Sequence, residues 1–366
     1  MSSTAELQEL AATVRAVLAK HGDRDALRRA IDGDLGYDER LWTLLCEQVG
    51  VAALAIPEEY GGVGAGLAAA LVVVEELGRT LHAPPMLGSA VLGVQAVLLS
   101  GNTEACARLL PEVAEGGRTL ALCWATERGW DGYGIQVESG NLTGTAHYVL
   151  DGAIADTLIV PTSDGLYEID AAAPEVARTV APTMDPTRRL AEITFTAAPA
   201  RALGGEPAAA TARLREIAWA ALAAEQVGAA DQCLQETVEY TKSRVQFGRA
   251  IGSFQALKHR MADMYVLVES ARSAAYAAIA DLSETTSAGR TSGAVVAPLP
   301  RPDSALDLAA ARIHCSDAYS KVVGEMVQMH GGIAITWEHE AHLYFKRAHA
   351  DTQLFGAPTH PLARPA

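Results

Sequence analysis
Residues 210–244, ATARLREIAWAALAAEQVGAADQCLQETVEYTKSR, hold no proline, and neither do residues 254–282, FQALKHRMADMYVLVESARSAAYAAIADL. No other feature constrains the fold as much. Both runs carry apolar residues at helical spacing and read as long helices. A third helix follows over residues 304–330, with Asp303 or Ser304 as its cap. A fourth is expected over WEHEAHLYFKRAHADTQL (337–354), with Thr336 as a candidate cap. Between the second and third, ETTSAGRTSGAVVAPLPRPD (284–303) is rich in Ser, Thr, Gly and Pro and reads as a loop. Residues 205–366 are therefore expected to form a four-helix bundle.

The rest of the chain divides in two. Residues 1–118 read as a helical lobe, with LWTLLCEQVGVAALAI and GLAAALVVVEELGRTL separated by the Pro/Gly-rich PEEYGGVGAG. Residues 119–204 change period. TLALCWA, GIQVES, LTGTAHYVL, DTLIVPT, GLYEID and AEITFTAA are short, alternating or β-branched runs punctuated by Gly, Asn, Asp and Pro, which predicts an antiparallel β domain. The fold class is α+β: N-terminal helical lobe, middle β domain, C-terminal four-helix bundle. No internal repeat is apparent.

Charge and cysteine usage narrow the function. The formal net charge is −15, which gives no general attraction for nucleic acid or an anionic membrane. The first residues, MSSTAELQELAATV, lack a basic segment followed by an apolar run, so no signal peptide is read. The five cysteines, at 46, 106, 123, 233 and 315, show no CxxC spacing, which fits a reducing cytoplasm and neither a disulfide framework nor zinc. His339, His342 and Glu338 lie at a spacing unlike that of HExxH, and no metal is expected.

Two stretches carry candidate chemistry. RVQFGRAIGSFQ (244–255) breaks the first two long helices. An Arg fork at Arg244 beside turn backbone suits a phosphate, Phe247 offers an aromatic face, and Gln246 and Gln255 offer amides. The same residues also suit a plain corner with a solvated arginine. In VQMHGGIAITWEHE (327–340), Gly331-Gly332 ends a helix and permits close approach of a ligand, or simply connects two helices.

R-x-Q-F-G-x-x-I-x-x-F-Q followed some 75 residues later by Q-x-x-G-G-x-x-x-T-x-E resembles the acyl-CoA dehydrogenase family. The helical–β–helical order, IPEEYGGVG (56–64), CWATE (123–127) and LTGTAHYVLDGAIADTLIV (142–160) extend the resemblance over nearly the whole chain. The resemblance implies FAD, shared between subunits. Arg244, Gln246, Phe247 and Gln255 would hold its pyrophosphate and adenosine, and Gln328, Gly331 and Gly332 of a neighbouring chain would close over the pyrophosphate. Ala125 and Thr126 would meet the isoalloxazine through backbone groups, and Tyr148 would stand beside it where the family often has Trp. Leu150 replaces a hydroxyl residue near flavin N5. The implied reaction is α,β-dehydrogenation of an acyl-CoA thioester, in which a desolvated carboxylate takes the α-proton and hydride leaves for the flavin. Electron-transfer flavoprotein is the implied electron acceptor and a homo- or hetero-tetramer the implied assembly.

The chain departs from the family at the base. Gly356 stands at the usual Glu position, and Ala218 at the alternative one, with Trp219 where Arg often helps hold substrate. In this the chain resembles the subunits that lack the usual catalytic Glu. Glu225, two turns beyond Ala218, is a displaced candidate base, or else a helix residue paired with an arginine. Three readings stand: a dehydrogenase subunit whose base comes from a different chain, a self-sufficient homotetramer using Glu225, or a non-catalytic member of the fold.

Overall fold
The computed structural model describes residues 4–291 and 302–357. The first lobe contains α1 (Thr4–His21), α2 (Arg24–Asp32), α3 (Glu39–Val49), α4 (Leu67–Thr80), a π-helical segment (Met86–Gly93), α5 (Val94–Leu99) and α6 (Thr103–Ala114). Their starts follow local chemistry. Asp23, Asp38 and Asn102 each accept a backbone N–H of the first turn with the side-chain oxygen, at 2.8–3.0 Å.

The middle domain holds β1 (Leu120–Leu122), β2 (Ile135–Glu138), β3 (Asn141–Leu150), β4 (Thr157–Thr162), β5 (Gly165–Asp170), β6 (Val176–Ala181), β7 (Leu190–Pro199) and β8 (Arg201–Gly204). They form two four-stranded sheets, β1-β4-β5-β8 and β2-β3-β7-β6. The expectation of antiparallel pairing needs one correction: β1 runs parallel to β4. It is reached by a long excursion through β2 and β3, which a hairpin-by-hairpin reading does not capture. The other ladders of these two sheets are antiparallel. β6 escaped the sequence reading because it lies mostly exposed, so burial imposes no apolar alternation on it.

The last lobe holds α7 (Pro207–Ser243), α8 (Gln255–Thr291), α9 (Pro302–His330) and α10 (Ala341–Gln353), with a small ladder of β9 (Val245–Gln246) and β10 (Arg249–Ala250) at the α7–α8 corner. The bundle matches the expected one, with three corrections. Residues 284–291 of the predicted loop continue α8. α9 begins at Pro302, so Asp303 and Ser304 lie within its first turn rather than at its cap. Thr336 does not cap α10: its hydroxyl donates to the carbonyl of Ile333, 2.8 Å away, and a turn intervenes before Ala341.

The small residues of AWAALAAEQVGAA bring α7 against α4. A β-carbon at Gly228 would lie 1.9 Å from the Glu75 carbonyl oxygen, and one at Gly78 would lie 2.3 Å from that of Glu225. The two glycines are reciprocal, each admitting the other helix's backbone, so the stretch is a packing seam and not a pocket wall. Among the described residues no helix is long and apolar enough to cross a membrane.

Candidate functional site
The structure sorts the candidate residues into two groups. The first gathers where α7 ends. Arg244 caps that helix, its N–H donating to the Tyr240 carbonyl. The chain then turns through Phe247 and Gly248, both at positive φ (53° and 74°), with Gln246 paired to Arg249. Two left-handed residues in a row make the tight hairpin turn that NG- or GG-like sequences usually supply. Phe247 is held out at 91% exposure, and Gln255 opens α8. Among the described residues no carboxylate pairs with Arg244. The second motif lies alongside. The Tyr240 hydroxyl donates to the His330 carbonyl at 3.3 Å, and the two rings stack at 4.2 Å. Gly331, at φ 64°, ends α9 beside exposed Gln328 and Gly332. Within one chain the Tyr240–His330 stack ties the end of α7 to the end of α9, at which the Gln328–Gly332 turn lies.

His330 and His339 lie behind this surface, ring centroids 4.5 Å apart. His330 Nδ1 faces the Met326 carbonyl at 2.8 Å, while its Nε2 is buried without a partner. Burial, then the charges of His330, Arg24 and His342, push His339 down to about 4. Burial pushes His330 down as well. Both rings are therefore native in the neutral form. Their contribution to stability is present above the unfolded pKa of about 6.5 and is lost as pH falls through the window toward 4, by on the order of 1–2 kcal/mol. Urea denaturation between pH 7.5 and 4.5 checks this: His339→Gln should flatten the acid slope, and an unchanged slope contradicts the assignment.

The second group lies elsewhere. A cleft of about 800 Å³ opens where the middle domain meets the bundle, walled by Tyr148, Trp130, Trp219, Arg215, His349 and Gly356. A register shift in β3 between Ala146 and Val149, with Tyr148 at φ 53°, turns that ring toward the cleft. Twenty-five residues of α7 separate Trp219 from Arg244, about 37 Å at 1.5 Å per residue. That is longer than one extended dinucleotide. The cleft and the Arg244 corner of a single chain therefore stand at opposite ends of this stretch of α7.

Around Gly356, where the resemblance places the usual Glu, aromatic rings pack closely at one wall of the cleft. Trp130 packs edge-on against Trp124 and Phe355, at centroid distances of 5.6 and 5.2 Å. Trp219 Nε1 lies 3.2 Å from the carbonyls of both Phe355 and Gly356. Gly356 has φ 76°, and a β-carbon there would lie 3.3 Å from Trp130 Cδ1. Ala218 is fully buried beneath. Neither position offers a carboxylate, as the sequence indicated. Three backbone groups of Ala125 and Thr126 already have partners within the chain. Thr126 N–H donates to the Gly129 carbonyl at 2.8 Å, the Thr126 carbonyl accepts from Gly129 N–H at 3.1 Å, and the Ala125 carbonyl accepts from His147 N–H. The residues for a dinucleotide's diphosphate end fit that group; those for its ring end, as they stand here, do not.

Glu225 is not a free base. It accepts from both Arg188 and Arg347 within a buried network. Arg347 also holds Asp185 (2.6 Å), Arg188 holds Asp351 (2.6 Å), and Arg312 donates to the Asp351 carbonyl. Burial, then Glu225, pushes the Asp351 carboxyl up, against the pull of the three arginines. A carboxylate gripped by two guanidiniums has its lone pairs committed and is poorly placed to accept a substrate proton. The segment TMDPTRRLAE (183–192) turns at Asp185, whose carboxylate accepts from Thr187 N–H at 2.9 Å. It sends Asp185 and Arg188 into this network, and Arg189 to the carbonyls of Ile31, Gly33 and Asp34 in the first lobe.

The comparisons with known proteins follow this geometry. The acyl-CoA dehydrogenase N-terminal domain matches residues 4–117 and the C-terminal domain residues 216–358. The chain is 44% identical over 364 residues to acyl-CoA dehydrogenase IpdE2 of Mycobacterium tuberculosis, covering 100% of this chain and 97% of that one. It is 43% identical to IpdE2 of Mycolicibacterium smegmatis, covering 100% and 98%. Among solved structures it resembles the Tcur3481-Tcur3483 steroid ACAD G363A variant (TM-score 0.82, 30% identity, 96% of this chain and 94% of that one). It also resembles the ChsE4-ChsE5 complex from Mycobacterium tuberculosis (TM-score 0.85, 27% identity, 98% and 95%). The chain belongs to the acyl-CoA dehydrogenase family of FAD-dependent oxidoreductases.

Proposed function
We propose that this chain is one subunit of a mixed acyl-CoA dehydrogenase, gripping the diphosphate end of an FAD whose ring and catalytic carboxylate lie in a different chain. The observation that carries the reading is the contrast between the two half-sites. Arg244, Gln246, Phe247, Gln255, Gln328, Gly331 and Gly332 are exposed, and the Arg244 guanidinium has no carboxylate partner among the described residues. At the ring end Trp130, Trp219 and Phe355 pack around a glycine and leave no carboxylate at that position. Two solved relatives bear paired names, and one is called a steroid ACAD, which supports a mixed assembly and a bulky, ring-bearing acyl-CoA. The bound flavin would accept hydride; this chain's residues hold its phosphates and exclude water from its adenosine end. Electron-transfer flavoprotein is the expected reoxidant. The homotetrameric alternative needs Glu225, whose oxygens are already committed.

The test is flavin content. The purified chain alone should be colourless or substoichiometric. Co-expression with a neighbouring dehydrogenase chain should yield a yellow complex with about one flavin for every two chains, as a symmetric assembly of unlike pairs requires. Arg244→Gln in that complex should weaken flavin retention by about tenfold or more, since charge-assisted phosphate hydrogen bonds go. A yellow homotetramer with one flavin per chain, or undiminished flavin in Arg244→Gln, overturns the assignment.

A further inference from the structure
The cleft beside Gly356 has no assigned occupant. We infer that it is a separate binding site for an apolar, ring-bearing carboxylate, with Arg215 as its anion anchor. The inference rests on the reading that this cleft holds no flavin ring.

Its volume, about 800 Å³, lies in the ordinary range for small-molecule sites. Trp130, Tyr148, Trp219, Met184 and Phe355 give it apolar and aromatic walls. Most of its charges are committed. Asp185 and Arg188 belong to the buried network. Glu127 and Arg128 are exposed neighbours of opposite sign on the rim. Arg215 differs. It is more than two-thirds buried, its Nη2 donates to the Trp130 carbonyl at 2.6 Å, and its Nε is buried without a partner. Among the described residues its carboxylate partner is Asp131, 2.9 Å from Nη1, whose side chain is 92% exposed. A largely desolvated guanidinium held by one solvent-exposed carboxylate gains little from it. A ligand carboxylate brought into the cleft with its apolar body on the tryptophans would be desolvated and would replace Asp131 at Nη1 on better terms. The loop can yield: Gly129 and Gly132 flank Trp130 and Asp131 at φ 124° and 85°, and a β-carbon on either would meet nothing within 4 Å.

The probe is 2-naphthylacetate, titrated calorimetrically into the co-purified full-length complex, beside its primary amide and free coenzyme A. The acid should bind at least tenfold more tightly than the amide, coenzyme A should not displace it, and saturation should come at one ligand per copy of this chain. Asp131→Asn, at an exposed position, should tighten the acid severalfold and leave the amide unchanged. Arg215→Gln should erase the preference for the acid. Equal binding of acid and amide, no binding of either, or competition by coenzyme A overturns the proposal. Flavin content is read on the same preparation. One flavin per chain would remove the functional reading and this site together, whereas half that content with no acid preference removes only the site.

Discussion

Arg347→Ala is expected to cost about 3–5 kcal/mol of folding stability, because it strands buried carboxylates instead of removing an isolated contact. Arg347 is fully buried and lies between Asp185 and Glu225, and it donates to the Leu81 carbonyl as well. Its removal leaves Asp185 without its guanidinium partner, and Glu225 with Arg188, in a buried region. Asp185 sits in the turn entering β7, Glu225 on α7 and Arg347 on α10, so the same change loosens the docking of the middle domain on the bundle. Urea denaturation of Arg347→Ala against Arg249→Ala measures the effect. Arg249 lies on the exposed corner and should shift stability by no more than about 0.5 kcal/mol. If the two variants are equally stable, the buried network carries no structural weight.

Gly356→Glu should not confer dehydrogenase activity on the isolated chain, and it should destabilise it. Placing a β-carbon at φ 76° costs about 1–2 kcal/mol. The contact with Trp130, 3.3 Å from that β-carbon, adds about 1–3 kcal/mol of overpacking. Trp130→Ala should relieve the second cost and not the first, so the double variant should be more stable than the sum of the singles predicts. A thermal scan of the four proteins and an assay with an artificial electron acceptor check both parts. Turnover by Gly356→Glu alone would mean that the cleft admits flavin and thioester in this chain, and the mixed-subunit reading would fail with it.

The base was a readable absence. Glycine at one family position and alanine at the other are facts of composition at fixed places, and folding does not change them. The corner was readable for a related reason: Arg244, Gln246, Phe247, Gly248 and Gln255 fall within one short interruption of two helices, so local spacing fixes their neighbourhood. The long helices followed from period and the lack of proline.

What the spacing did not contain was every relation across the fold. Glu225 meets Arg188 from 37 residues away, and Arg188 meets Asp351 from 163. No local pattern distinguishes Glu225 as a free carboxylate from Glu225 as an ion-pair member. Trp130 drew no notice because one tryptophan in a glycine-rich loop becomes a plug only when Phe355 and Gly356 arrive from the other end of the chain. The contact between the ends of α7 and α9, through the Tyr240–His330 stack, joins residues 90 positions apart. The sequence by itself determined which chemical groups the chain owns and which helices carry them, because covalent order and helical period are local. Which of those groups are spent on one another, and which remain free for a ligand, was decided by tertiary structure alone, because burial and pairing depend on segments that the sequence holds far apart.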